Sequence, residues 1–137
     1  MTVDDQTAVY ILATRQAFED LRQVVSQLAG VLVLAAAKGK SDAPDLEPAR
    51  KLYQQASQAL RDSAWTVRAA AHHGHLLEAA EFLEIALQRA SVRIDVEAIL
   101  PPLRAGYDAL LKASQTLPGF EMVAFEQGCC SALQVTK

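Results

Sequence analysis

The stretch DDQTAVYILATRQAFEDLRQVVSQLAGVLVLAAAKG, residues 4–39, decides the fold class. Apolar or small side chains recur in it every seven residues, and a second set follows three residues behind the first, at Ile11, Phe18, Val25 and Leu32 and at Thr14, Leu21, Leu28 and Ala35. This spacing keeps one face of an α-helix apolar along the whole stretch. The pattern predicts a helix from about Asp4 to Lys38, which Gly39 ends by adopting a left-handed turn.

Punctuating residues divide the remaining sequence into shorter helical segments. Asp45 is a capping residue for a second helix that the periodicity extends to about His73, where Gly74 is expected to break it. A third helix follows from Leu76 to Ala90, and a fourth is expected to begin at Pro101, because proline is disfavoured inside a helix. The predicted end of the fourth helix is Pro118-Gly119, and a short fifth helix covers residues 120–133.

These segments predict an all-α fold, an antiparallel four- to five-helix bundle with a long N-terminal helix. The 137 residues fit a single domain, 1–137. The run Gly74-x4-Ala79-x3-Leu83-x2-Ala86-Leu87 resembles the second half of a tetratricopeptide repeat, although Val67 stands where that family has a small residue. The resemblance implies a helical hairpin that turns at Gly74.

Composition and charge exclude several classes of function. The net charge is −3 and no segment is strongly basic, so a nucleic-acid partner is not expected. The N-terminal sequence MTVDDQTAVY is acidic, unlike a signal peptide, and the apolar run 24–37 is too short to span a bilayer. The only cysteines, Cys129 and Cys130, are adjacent and cannot form a disulfide framework. The sequence therefore predicts a cytoplasmic protein without a membrane partner.

Three histidines form the first candidate site. His72, His73 and His75, together with Glu78, offer the nitrogen and carboxylate ligands that a divalent metal such as zinc or iron accepts. The Glu-x-x-His motifs of di-iron bundles are absent from the sequence. The alternative interpretation is a polar helix end, whose imidazoles lie near the last carbonyl groups.

Trp65 is the second candidate site. On a continuous helix it lies off the apolar stripe and near Arg61 and Arg68, at spacings of four and three residues. Tryptophan and arginine are both enriched in the residues that contribute most to protein interfaces. The sequence therefore predicts partner binding by Trp65, Arg61 and Arg68, with packing of Trp65 against a later helix as the alternative.

No catalytic constellation is recognisable, so the expected function is a non-enzymatic helical interaction protein. An adaptor, a chaperone-like factor or a regulatory subunit would fit, with a protein partner, a second copy of the chain or both as its ligands. Self-association is expected because a helix of about 35 residues is roughly 50 Å long, more than the later helices can cover. The alternative function is a metal- or small-molecule-binding bundle that uses His72, His73 and His75. In that case a divalent metal would be the cofactor, and otherwise none is expected.

Overall fold

The computed structural model describes residues 5–38, 45–118 and 120, and this part of the chain is all-α. Its elements are α1 (Asp5–Lys38), α2 (Glu47–Asp62), a 3-10 turn (Val67–Ala69), α3 (Ala70–Val92) and α4 (Val96–Thr116). The all-α prediction is confirmed for these residues. The predicted fifth helix, apart from Phe120, lies outside the described residues, as do Cys129 and Cys130.

The apolar stripe of α1 forms one side of the hydrophobic core, as the sequence predicts. The stripe residues Phe18, Leu21, Val25, Leu28 and Leu32 are all buried. The helix α1 packs mainly against α2 and also contacts α3 and α4. Asp45 accepts a hydrogen bond from the backbone N–H of Glu47, so it helps to begin α2 where the sequence places the start of that helix.

The most extensive helix contact joins α3 and α4. It depends on Gly106, because a β-carbon at this position would lie 2.9 Å from Cδ2 and 3.0 Å from Cγ of Leu83. Leu83 is fully buried, so its side chain has little room to move. Every residue that the periodicity assigns to the buried face of α3 is indeed buried: Leu76, Ala79, Ala80, Leu83, Ala86, Leu87 and Ala90.

The predicted break at Gly74 is wrong, and so is the predicted extension of the second helix to His73. The helix α2 ends at Asp62, the chain turns at residues 63–66, and α3 runs through Gly74 without interruption. A glycine inside a helix costs only about 1 kcal/mol relative to alanine. Burial of the side chains around Gly74 on α3, including His72, His73 and Leu76, outweighs that cost. The hairpin implied by the tetratricopeptide resemblance therefore does not turn at Gly74.

The predicted start of the fourth helix at Pro101 is also wrong, because α4 begins at Val96 and contains both prolines. Asp95 caps the helix by accepting a hydrogen bond from the N–H of Glu97. Since Pro102 has no N–H, it leaves the carbonyl of Ala98 without its helical donor. Arg89 of α3 replaces that donor, with 2.7 Å between its Nη1 atom and the carbonyl oxygen.

Replacing Arg89 by methionine should therefore lower the free energy of unfolding by about 1 kcal/mol, because the carbonyl of Ala98 loses a charged donor. Urea denaturation would measure the change. Arg93→Met is the matched control, because the ion pair of Arg93 with Asp95 is long, 3.6 Å, and solvent-exposed. Such a pair contributes little, and the control should stay close to the wild type. Equal losses in the two variants would show that the bond to Ala98 has no special role.

Candidate functional site

The non-helical connection at residues 63–66 forms a corner between α2 and α3. Ser63 adopts an extended conformation and its hydroxyl donates to the carbonyl of Ala59, which satisfies a free carbonyl at the end of α2. Thr66 is also extended, and its hydroxyl accepts from the N–H of Ala69. The same hydroxyl lies 3.0 Å from that of Thr7 on α1. The corner is thus fixed at both ends and attached to α1.

Trp65 lies on this corner and is half exposed, with 52% of its surface accessible. Its indole stacks on the imidazole of His73, with ring centroids 5.7 Å apart and an angle of 24° between the rings. Val67, two residues further on, is 92% exposed. We refer to Trp65, Val67 and Arg68 as the corner patch. It combines a large aromatic side chain, which is held in place by stacking on His73, with an almost fully exposed valine.

The structure changes the reason for grouping Trp65 with the two arginines. The prediction assumed one continuous helix, but the residues between Arg61 and Arg68 include the corner, so the helical spacing does not apply. Arg61 lies on the wall of a groove between α2 and α3, whereas Arg68 lies in the 3-10 turn next to Val67. Both arginines are exposed, and the ring that stacks on Trp65 is the imidazole of His73.

The hydroxyl of Tyr10 lies between two of the predicted histidines. It is 2.8 Å from Nδ1 of His72 and 3.4 Å from Nδ1 of His73. Because a hydroxyl both donates and accepts, it can donate to one imidazole and accept from the other. Phe120 covers the ring of His72, with ring centroids 4.0 Å apart. Tyr10, His72 and Phe120 are almost completely inaccessible, so this cluster joins α1 to α3 and does not face a substrate in solution.

Burial also sets the protonation state of the cluster. It lowers the pKa of His72 to about 4, with smaller contributions from the charges of His73 and His75. The pKa of His73 is lowered by burial as well, and that of Tyr10 is raised by burial. His72 and Tyr10 are therefore neutral at pH 7. Nε2 of His72 is buried and has no hydrogen-bond partner among the described residues, which adds to the cost of charging the ring.

The geometry does not support the predicted metal site. His72 and His73 direct their Nδ1 atoms toward Tyr10, and Glu78 is exposed on α3. Within residues 5–38, 45–118 and 120, no group of three or more His, Cys, Asp and Glu side chains is placed to hold a metal ion. The alternative interpretation, a polar helix end with imidazoles near the last carbonyl groups, is wrong as well, because His72 and His73 lie in the first turn of α3 and are buried.

An open groove between α2 and α3 is a further feature of the structure. It contains two adjoining depressions of about 380 and 510 Å³, both lined by Tyr53, Arg61 and Glu84. The hydroxyl of Tyr53 donates to the carboxylate of Glu84 at 2.6 Å. Burial and this hydrogen bond raise the pKa of Tyr53 to about 12. The groove is open and its lining is about equally polar and apolar, so it resembles an interface depression more than an enclosed ligand pocket.

The face of α1 that points away from the core is unusually apolar at its two ends. Val9, Leu12, Val33 and Leu34 are all more than half exposed. By length and composition alone, the helix from Asp5 to Ala37 is able to cross a membrane, with a mean hydropathy of 1.3 in its most apolar window. Only 33% of that window is buried inside the fold. Core helices of soluble proteins pass the same test, so the finding identifies an exposed apolar surface and does not assign a location.

Sequence reasoning missed the partners that organise the site. Tyr10 and His72 are 62 residues apart, and no spacing rule connects them. Thr66 could have been recognised, because a threonine followed by a predicted helical segment is a capping signal. No protein-family model, curated protein or solved structure matches this chain.

Proposed function

We propose that this chain is a non-enzymatic helical interaction protein, an antiparallel bundle that associates with itself and binds a protein partner through the corner patch. The observation that carries the proposal is Trp65, which is half exposed and stacked on His73. An exposed tryptophan leaves a large apolar surface in contact with water, and burial of that surface in an interface would give a favourable hydrophobic free energy. Aromatic anchors that are rigid before binding lose little conformational entropy when the partner arrives.

The surroundings of Trp65 support a protein ligand over a small molecule. The hydroxyl of Thr66 lies next to that of Thr7, while Trp65 and Val67 on either side of Thr66 are exposed. Arg68 is exposed next to them. An apolar centre flanked by arginine is the composition of an interface hot spot.

Because Trp65 is the only tryptophan, its fluorescence reports on the corner patch directly. We expect Trp65→Ala to weaken binding of the partner by about 30-fold, the effect of removing a hot-spot residue, while far-ultraviolet circular dichroism stays unchanged. Affinity purification with wild-type and Trp65→Ala baits would identify the partner, and titration of that purified partner would measure the affinity.

Leu100→Ala is the matched control, because Leu100 is also exposed but lies on α4. It should retain the same proteins as the wild-type bait. If the Trp65→Ala bait retains them as well, with the same affinity, partner binding by the corner patch is wrong.

A further inference from the structure

The exposed face of α1 carries a second periodic pattern, on the side opposite the core. Its members are separated alternately by three and four residues, the spacing that two helices need in order to pack along their length. We refer to these positions as the outer seam: Val9, Leu12, Gln16, Glu19, Gln23, Ser26, Gly30 and Val33. All are exposed except Glu19, which is half exposed, and the seam extends over about 36 Å.

The outer seam is symmetrical about Leu21. Reversing the direction of the helix places Val9 opposite Val33 and Leu12 opposite Gly30, while the four polar members lie opposite one another near the centre. An antiparallel pair of identical helices thus joins apolar to apolar and polar to polar positions at every step. This is the property of an isologous interface, in which each residue of one copy meets its counterpart in the other.

Gly30 provides an independent observation in favour of such pairing. No described atom lies within 4 Å of the point where its β-carbon would stand, so the packing of the chain itself does not require a glycine there. Gly106, by contrast, is required by contact with Leu83. A glycine in the middle of a helix costs about 1 kcal/mol. Opposite Leu12 of a second copy, however, the missing side chain leaves room for the leucine, which is 70% exposed in the single chain.

We propose that the outer seam binds the outer seam of a second copy of this chain, in an antiparallel dimer centred on Leu21. The inference rests on the self-association in the proposed function and assigns a surface to it. Two clusters form, each with Val9 and Leu12 of one copy against Gly30 and Val33 of the other. The polar centre fixes the register, because sliding the helices by seven residues in either direction would place Leu12 or Val33 against a polar side chain.

The polar centre also favours a second copy over a lipid surface. Glu19 forms an ion pair with Arg22, 2.7 Å apart, in the middle of the exposed face. A helix that lies on a membrane has a continuous apolar face with cations on the opposite side. The outer seam is interrupted by Gln16, Glu19 and Gln23, so it would bring polar groups into the acyl chains. Facing an identical seam, these groups meet polar partners.

Opposite charges introduced at two positions of the outer seam test both this surface and the antiparallel orientation of the dimer. Leu12→Lys and Gly30→Glu should each raise the dissociation constant of the dimer about 100-fold, because each places an unpaired charge in an apolar cluster. An equimolar mixture of the two variants should associate almost as tightly as the wild type, since the new ammonium group then faces the new carboxylate. Light scattering after size exclusion would follow the change from twice the chain mass of 14.8 kDa to the single mass.

The control is Val92→Lys, at an exposed valine on α3, which should leave the dissociation constant unchanged. Dimers that persist in both seam variants but dissociate in Trp65→Ala would overturn the seam and preserve self-association through the corner patch. A wild-type chain that stays monomeric at all concentrations would overturn self-association itself. If the equimolar mixture of Leu12→Lys and Gly30→Glu does not regain association, the antiparallel register is wrong. Binding of the monomeric wild type to phosphatidylcholine–phosphatidylserine vesicles, lost in Leu12→Lys, would assign the seam to lipid instead.

Discussion

Replacing Gly106 by valine should lower the free energy of unfolding by about 3 kcal/mol, the upper part of the range for overpacked cores. A β-carbon at this position already lies 2.9 Å from Cδ2 of Leu83, and the carbonyl oxygen of Ala79 is 3.5 Å away. The two additional methyl groups of valine have no space between α3 and α4. Since this is the most extensive helix contact in the fold, the helices must separate or the side chain of Leu83 must leave its place.

Gly74→Val is the matched control for this prediction. Gly74 also lies inside a helix, but no described atom is within 4 Å of its β-carbon position, and it is exposed. The same substitution should therefore change stability by less than about 0.5 kcal/mol, since valine is no worse a helix former than glycine. Urea or thermal denaturation measures both variants. If the two substitutions have equal effects, close packing at Gly106 is not what stabilises the contact between α3 and α4.

A double-mutant cycle with Leu83 would test whether the collision with this side chain causes the loss of stability in Gly106→Val. Leu83→Ala alone should cost about 2–5 kcal/mol because it leaves a cavity in the core. In that background Gly106→Val should cost at least about 1 kcal/mol less than in the wild type, because the valine methyl groups occupy part of the cavity. Strict additivity would mean that the valine collides with another group.

The sequence alone predicted the buried faces of the helices better than their ends. The faces follow from periodicity, which every turn of a helix reinforces, so the buried stripes of α1 and α3 were predicted almost completely. The position of a helix end, by contrast, depends on one or two residues, whose helix and capping preferences amount to about 1 kcal/mol of free energy. Gly74 and Pro101 were therefore interpreted as breaks, although burial of Leu76 and the hydrogen bond from Arg89 to Ala98 keep both helices intact.

Val67 shows how one wrong helix end affects the prediction of a site. On a continuous second helix, the seven-residue repeat of Leu46, Tyr53, Leu60 and Val67 predicts that Val67 is in the core, but it is 92% exposed because the chain leaves the helix after Asp62. The same change removes the helical relation of Trp65 to Arg61 and Arg68. It also brings Trp65 onto His73, eight residues further on, whereas on one continuous helix side chains this far apart would lie about 12 Å from each other and could not stack.

We expect the second large effect, a loss of folding stability, at acidic pH, and His72 is its cause. Burial lowers the pKa of His72 to about 4, whereas the unfolded chain has the ordinary value of 6.5. Between these two values the unfolded chain binds a proton that the folded chain does not bind, so stability decreases as the pH falls. The loss should begin near pH 6.5, proceed at about 1.4 kcal/mol per pH unit and reach about 3 kcal/mol near pH 4.

His72→Gln is the variant that isolates this contribution. Glutamine does not titrate and retains both a donor and an acceptor for the hydroxyl of Tyr10, which lies 2.8 Å from the imidazole in the wild type. The variant should be less stable than the wild type at pH 7.5, because it packs less well against Phe120. The difference between the two proteins should shrink and then reverse toward pH 4.5, because only the wild type loses stability through His72.

Other groups that titrate in this range affect both proteins equally, so the difference between the two stability curves is the quantity to measure. His73→Gln should remove a further part of the pH dependence, since burial also lowers the pKa of His73, which lies on the same hydroxyl at 3.4 Å. Chemical denaturation at half-unit intervals from pH 7.5 to 4.5 would give the curves. If the wild-type and His72→Gln curves run parallel over this range, His72 takes up a proton in the folded protein as readily as in the unfolded chain, and the buried neutral cluster of Tyr10, His72 and His73 is wrong.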